Sequence, residues 1–360
     1  MDYVFTHGTG TEADPYQVWT AEDLDGVRDY LDAHFIQMAD IDLSGYENWE
    51  PIGTYIYGQN LHFNGTYDGN GHTISNLIIK RENYTGLFGY TYNAIIKNLG
   101  VVDVNVSGTN FVGGLVGYYI STTITNSYST GNVSGMDNTG GLAGYATTNS
   151  AITNSYSTGS VSGNRCVGGL VGINHSSAVY SCYSANSVSG ADYIGGLIGL
   201  NHYHSTTSNC YSTSNVSGSN GVGGLVGIVY YNRTFVTNCY SKGSVLGTNN
   251  LGGLIGYKEN GATITSSYYD QETSGQSDTG KGEPKTTAEM KTQSTFVDWD
   301  FTDVWGIDPA KNDGYPYLPW QYPEPLPNPS NPGLLPSQSL AGGKVSSYPL
   351  MCWNWTRTHL

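Results

Sequence analysis

Positive charge is scarce. Only 14 Lys and Arg stand among 360 residues, against 29 Asp and Glu, for a formal net charge of −15. Such a chain has no electrostatic footprint for a phosphate backbone, which argues against nucleic-acid partners. Charge of either sign is thin, at 12% of residues. No run of 18 apolar residues occurs, so no helical membrane span is expected. Residues 1–7 show neither a basic start nor an apolar stretch, so no signal peptide is visible in this chain. What abounds instead is Gly (49), Tyr (30), Ser, Thr and Asn. These are mediocre helix formers, so a helical protein is not expected. The aromatic content of 12% argues against wholesale disorder.

One signature recurs. Gly-Leu-x-Gly begins at Gly86, Gly114, Gly141, Gly169, Gly196, Gly224 and Gly253, with Leu-to-Leu steps of 28, 27, 28, 27, 28 and 29. A second signature keeps the same period and ends in Tyr128, Tyr156, Tyr183, Tyr211, Tyr240 and Tyr268. A third contains Val133, Val161, Val188, Val216 and Val245. Gly recurs too often for a helix to fit inside the repeat. Each repeat therefore reads as one coil of an all-β, parallel β-helix with three strands per turn of about 28 residues. Coils stacked at about 4.8 Å would place like residues in columns.

Two-residue alternation sets up a conflict within the coil. Counting forward from a buried Ile124 puts Tyr128 inside, whereas counting back from a buried Val133 puts it outside. One break is needed, at Asn126, which tolerates the left-handed region, or at the Gly of positions 131, 159 and 243. The position before Tyr holds Ser127, Ser155, Cys182, Cys210, Cys239 and Ser267. Small residues and thiols favour burial, so the Cys column is placed inside as free thiols and the Tyr column outside. The residue after Leu forms an apolar column of Phe88, Val116, Ala143, Val171, Ile198, Val226 and Ile255. With Leu inside, this column is expected to face out.

Solenoid ends need caps. Residues 1–50 fit an N-terminal cap with a short helix opened by Thr20 and Asp23, its Leu24, Val27 and Leu31 on one face. The coils occupy 51–270, with 35–43 and 65–74 resembling the first of them. Residues 271–320 fit a C-terminal cap with a short helix after Thr286, and Trp299, Phe301, Trp305 and Tyr317 to plug the core. A Pro-rich linker and unstructured tail follow over 321–360.

The Gly-Leu-x-Gly coils resemble the GLUG-motif repeats of bacterial and archaeal surface proteins. The segments at 8–16, 39–43 and 68–74 look like those that precede such repeats, and 285–290, 299–301 and 312–318 like those that close them. The resemblance implies a right-handed parallel β-helix, a secreted or cell-surface location and adhesin-like roles. It transfers no catalytic residue.

Catalytic constellations are sparse. Between Gly113 and Thr265 the only carboxylates are Asp137, Asp192 and Glu259, too far apart in register for an acid–base pair. Asp40, Asp42 and Asp68 near the N-terminus could serve a polysaccharide hydrolase or lyase; capping turns is the competing role. His175, His202 and His204 could bind zinc, or could be loop histidines, and no metal site or cofactor is expected. The Tyr column is the candidate ligand surface, since aromatic faces pack sugar rings; stacking that merely stabilises the coils is the competing role. The expected function is non-catalytic adhesion, by multivalent binding of polysaccharide or glycoconjugate, with self-association through a solenoid face as a further option. A carbohydrate-active enzyme and a passive spacer are the alternatives.

Overall fold

In the computed structural model, residues 3–56, 59, 61–231 and 233–322 are described. Residues up to Gln321 form one compact unit. The tail expected over 321–360 lies, from residue 323 on, outside the described residues, as does Cys352. The unit is a parallel β-solenoid, all-β apart from a few short helices, as the repeat implies.

Each coil carries four short strands rather than three. In one coil these are Thr123–Thr125, Tyr128–Ser134, Asp137–Gly140 and Ala143–Thr147, contributing to sheets 1 to 4 in that order. Like strands pair in parallel with the neighbouring coils, in the register the repeat dictates: Tyr128 opposite Tyr156, Val133 opposite Val161. The extra strand arises because the glycine signature is a bend, not a strand. Gly141 and Leu142 turn the chain between sheets 3 and 4. Those two sheets lie backbone to backbone. A Cβ on Gly140 would collide with the Ala143 carbonyl, and one on Gly144 would lie 2.6 Å from the Val112 nitrogen of the preceding coil. Glycine recurs there because no side chain fits.

The parity break falls on asparagine. Asn98, Asn126, Asn154, Ser181, Asn209, Asn238 and Ser266 all have φ between 44° and 54°. Gly131 and Gly159 also have positive φ, but only those two coils use that device. The corner turns the following residue inward. Ser127, Ser155, Cys182, Cys210, Cys239 and Ser267 are all buried, and the Tyr after each lies on the opposite face. The column satisfies the corner's own polar groups. Ser127 Oγ donates to the Thr125 carbonyl (2.9 Å) and accepts the Leu99 N–H (3.3 Å). Cys182 Sγ donates to the Tyr180 carbonyl (3.0 Å), and Cys210 Sγ accepts the Cys182 N–H (3.4 Å). The thiols are free and take the role of the serine hydroxyls.

One expectation fails here. Phe88, Val116, Ala143, Val171, Ile198, Val226 and Ile255 are fully buried beside the Leu column, not exposed. Leu87 and its equivalents sit in the bend, so alternation does not carry through it, and both residues reach the core. The outward column of sheet 4 lies two residues further on.

At the N-terminal end, α1 (Ala21–Gly26) starts with a capping box between Thr20 and Asp23 and buries Leu24. At the other end, α2 (Gln271–Ser274) precedes α3 (Thr287–Met290), which opens with a Thr286–Glu289 capping box. The aromatic residues that follow do not plug the end of the solenoid. Trp299, Phe301 and Trp305 pack sideways with Met290 and Phe296 against Tyr211, Tyr240 and Tyr268, in a cluster separate from the solenoid core. The end itself is closed by Tyr269 and by the 278–281 turn. Asp278 accepts the Gly253 N–H (2.9 Å), and Lys281 Nζ donates to the Leu251 and Gly256 carbonyls (2.7 and 2.8 Å). A charged loop suits this edge because it presents unpaired backbone groups, whereas the tyrosine column presents flat apolar area.

Candidate functional site

The six tyrosines form one column on the outer face of sheet 2. Neighbouring rings are parallel within 9° between Tyr128 and Tyr240, with centroids 4.7 to 5.1 Å apart. That spacing leaves the ring faces against one another, so only edges and hydroxyls look outward. The column is then divided. Tyr211, Tyr240 and Tyr268 are buried under residues 290–318, which removes them from any ligand. Tyr128, Tyr156 and Tyr183 remain half-exposed. With Trp320, Gln321, Asn126 and Asn154 they line a groove of about 440 Å³ at the margin of the C-terminal segment. Trp320 lies 5.8 Å from Tyr183 and 6.3 Å from Tyr156.

A second aromatic surface covers sheet 4, and the sequence reading passed over it. Its first column is Tyr90, Tyr118, Tyr145, Ile173, Leu200, Ile228 and Tyr257, in register from coil to coil. Its second is Tyr92, Ile120, Thr147, His175, His202 and Tyr230. The first column contains no Asp, Glu, Lys or Arg, and the second meets a charge only at its end, where Glu259 follows Tyr230 in the last coil and accepts the Tyr231 N–H. The signal was present: the residue directly after each Gly-Leu-x-Gly is always large and apolar. Tyr90 stacks on Tyr118 (5.3 Å, 3°), and Tyr118 on Tyr145 (5.1 Å, 22°). Burial, followed by the neighbouring tyrosines, pushes Tyr118 up to about 12. Burial also lowers His175 and His202, which favours their neutral forms. The face is therefore poor in charge, with Glu259 at one end beside Tyr230.

The first column has a gap in its aromatic run. From Ile173 to Ile228 the tyrosines give way to aliphatic residues, and the adjacent sheet 3 column, which holds Tyr84, Phe111, Asn138, Cys166, Tyr193 and Asn250 in the other coils, drops to Gly221. The result is a cleft of about 390 Å³ lined by Arg165, Tyr193, Leu200, His202, Ile228 and Tyr257, among others.

The remaining candidates do not assemble a site. Asp40 accepts the Thr73 N–H (2.8 Å), which holds its carboxyl below the usual range. Asp42 accepts from the Asn76 amide (2.8 Å) and the Ser44 N–H (2.9 Å) and is lowered likewise. Asp68 accepts the Asn70 N–H (2.8 Å) and pairs with Lys97 (3.2 Å). Asp42 and Asp68 cap turns and Asp40 ties to Thr73 across coils, and the lowering of Asp40 and Asp42 is the reverse of what a general acid needs. His175 and His202 are neighbours, 5.1 Å between centroids, whereas His204 turns away onto Tyr203. Among the described residues no three His, Cys, Asp or Glu converge to hold a metal ion.

The GLUG motif matches residues 108–134, 138–162 and 190–217. A protein of Evansella cellulosilytica, provisionally described as a Gly-rich membrane protein, is 39% identical over 127 residues. Halomucin of Haloquadratum walsbyi is 36% identical over 124 residues. The matches cover 32% and 31% of this chain, and 14% and 1% of those relatives. Among solved structures, a Bacteroides ovatus protein provisionally described as an immunoglobulin A1 protease superposes with a TM-score of 0.62 at 25% identity, over 88% of this chain and 95% of that one. An IgA1 protease superposes at 0.56 and 14% identity, over 78% of this chain and 24% of its own, a likeness of fold alone. The chain carries GLUG-motif repeats.

Proposed function

We propose that the chain is a non-catalytic module of a surface or secreted protein, and that it adheres by multivalent contact with carbohydrate. The observation that carries this reading is the aromatic, charge-poor face of sheet 4, with the half-exposed Tyr128, Tyr156 and Tyr183 and Trp320 on sheet 2 as a second strip. Tyrosine, histidine and asparagine side chains offer apolar area together with hydroxyl and amide groups, the mixture that suits a sugar ring and its hydroxyls. Each contact is shallow. Seven coils at about 4.8 Å give a strip of roughly 35 Å, along which weak contacts to a polymer add through effective concentration. The GLUG repeats and the membrane-protein relative support a surface location.

The test is a pull-down on soluble and insoluble polysaccharides, with the supernatant assayed for released oligosaccharide. The expected result is binding without product that depends little on salt, since Arg165 and Glu259 are the few charges at this face. Tyr118→Ala with Tyr145→Ala should weaken it; Tyr156→Ala with Tyr183→Ala measures the share of sheet 2. Released product, or binding untouched by both pairs, overturns the proposal.

A further inference from the structure

The cleft on sheet 4 is set apart by a cation, whereas the charge beyond it on that face is the carboxylate of Glu259. Arg165 lies on sheet 3 at the rim, its guanidinium 4.9 Å over the ring of Tyr193. Stacking on the ring fixes the plane of the guanidinium; a hydrogen bond to Tyr193 engages part of its donor set and leaves the remaining donors for a ligand. Its register partners one coil below and one above are Asp137 and Asp192. Neither comes within ion-pair distance, and among the described residues Arg165 has no salt bridge. Below the guanidinium the floor is aliphatic, Leu200 and Ile228, between Tyr193 and Tyr257. Asn220 and Asn250 line one side, joined by an amide–amide hydrogen bond of 2.8 Å. The volume of about 390 Å³ falls in the range of small-ligand clefts.

We infer that this cleft is a subsite for a single carboxylate-bearing sugar at the end of an otherwise neutral glycan. The pyranose ring lies on Leu200 and Ile228 between the tyrosines, and Arg165 grips the carboxylate. The planar fork of a guanidinium matches a carboxylate in two parallel hydrogen bonds. The flanking Asp137 and Asp192 and the net charge of −15 disfavour a polyanion, which restricts the ligand to one acidic residue. The inference rests on the carbohydrate-binding reading and adds a substrate class to it.

The test is a titration of the full chain, followed by saturation-transfer NMR, with two matched pairs of probes: sialyllactose against lactose, and cellobiouronic acid against cellobiose. Two variants accompany it. Arg165→Gln removes the charge and keeps the cleft. Gly221→Tyr fills the cleft at a position where Tyr84, Phe111 and Tyr193 already accept positive φ in equivalent coils. At least one acidic probe should bind roughly tenfold or more tightly than its neutral partner. Arg165→Gln should erase that preference, and Gly221→Tyr should abolish binding of the same probe while leaving the melting temperature near wild type. If neutral and acidic probes bind alike, or Arg165→Gln changes nothing, the inference fails and the adhesion reading stands on the polysaccharide pull-down. If no probe binds, the inference fails as well, and the pull-down decides separately whether the adhesion reading fails with it.

Discussion

The hydroxyl of Tyr240 should decide whether the C-terminal segment is held by the tyrosine column. Tyr240 is fully buried; its Oη donates to the Pro316 carbonyl (2.6 Å) and accepts from the Asn312 amide (2.7 Å). The ring is stacked on Tyr211 and packed near Trp299 and Trp305, at 6.2 and 6.1 Å. Tyr240→Phe removes both hydrogen bonds. Asn312 still reaches the Pro316 carbonyl (2.6 Å), so one acceptor keeps a partner and the loss should be about 1–2 kcal/mol. Tyr240→Ala also removes the buried ring and should cost about 3–5 kcal/mol. Tyr128→Phe, at the half-exposed end of the same column, should cost less than about 0.5 kcal/mol. Hydrogen exchange read by mass spectrometry separates the regions. Each coil contacts mainly its neighbours, so the lost protection should be confined to residues 286–321 and the adjacent coil, leaving 100–200 unchanged. Equal loss across the solenoid, or a Tyr240→Phe variant indistinguishable from Tyr128→Phe, would refute the claim that this column seats the cap.

Three further outcomes are expected. Asn154→Ala, at φ 49°, should destabilise by about 1–2 kcal/mol in chemical denaturation, while Asn154→Gly stays near wild type. In a Cys352→Ser background, Ellman's reagent at pH 8 should detect no thiol in the native protein and all four of Cys166, Cys182, Cys210 and Cys239 after unfolding; burial pushes Cys166 up to about 12 and raises Cys210 and Cys239 well above their ordinary value. Gly195→Ala should cost about 4 kcal/mol or more, seen as lost soluble yield, because its Cβ would strike the Ile198 carbonyl and lie 2.6 Å from the Gly227 nitrogen; Gly45→Ala, with nothing within 4 Å, should leave the melting temperature unchanged.

Local chemistry was legible in the sequence wherever one residue decided it. The asparagine corner, the inward Cys column and both capping boxes follow from φ tolerance, small size and side-chain hydrogen bonding at single positions. Where two elements meet, the reading failed. Alternation cannot be counted through the Gly141-Leu142 bend, so Val116 and its column were placed outside although they are buried. The fourth strand escaped for the same reason, since sheets 3 and 4 are separated only by that bend. The aromatics after residue 290 were read as plugging the solenoid core, and they cover the side of the tyrosine column instead. Their target was wrong, because nothing local distinguishes the open end of a solenoid from a flat tyrosine column on its side. The column's division into a covered and an exposed half is a tertiary fact of this kind, and it reduces the candidate ligand residues from six to Tyr128, Tyr156 and Tyr183.

The same physics indicates where a function can reside in a repeat of this type. A position filled alike from coil to coil is answering the coil: Leu115 and its equivalents fill the core, Gly140 admits a neighbouring backbone, and Asn126, replaced only by Ser at 181 and 266, turns a corner. Altering any of these perturbs stacking before it perturbs a ligand. Binding specificity has to come from outward positions that the stack leaves unconstrained, and above all from coils where a column changes character. In sheets 3 and 4 that change is local. Tyrosine yields to Ile173, Leu200 and Ile228, an aromatic yields to Gly221, and Arg165 enters between two register-paired aspartates. None of these substitutions serves the solenoid: Gly221 forgoes the packing that Tyr193 and Phe111 supply in other coils, and Arg165 finds no ion-pair partner. Three departures that converge on one cleft are better explained by a ligand than by the fold.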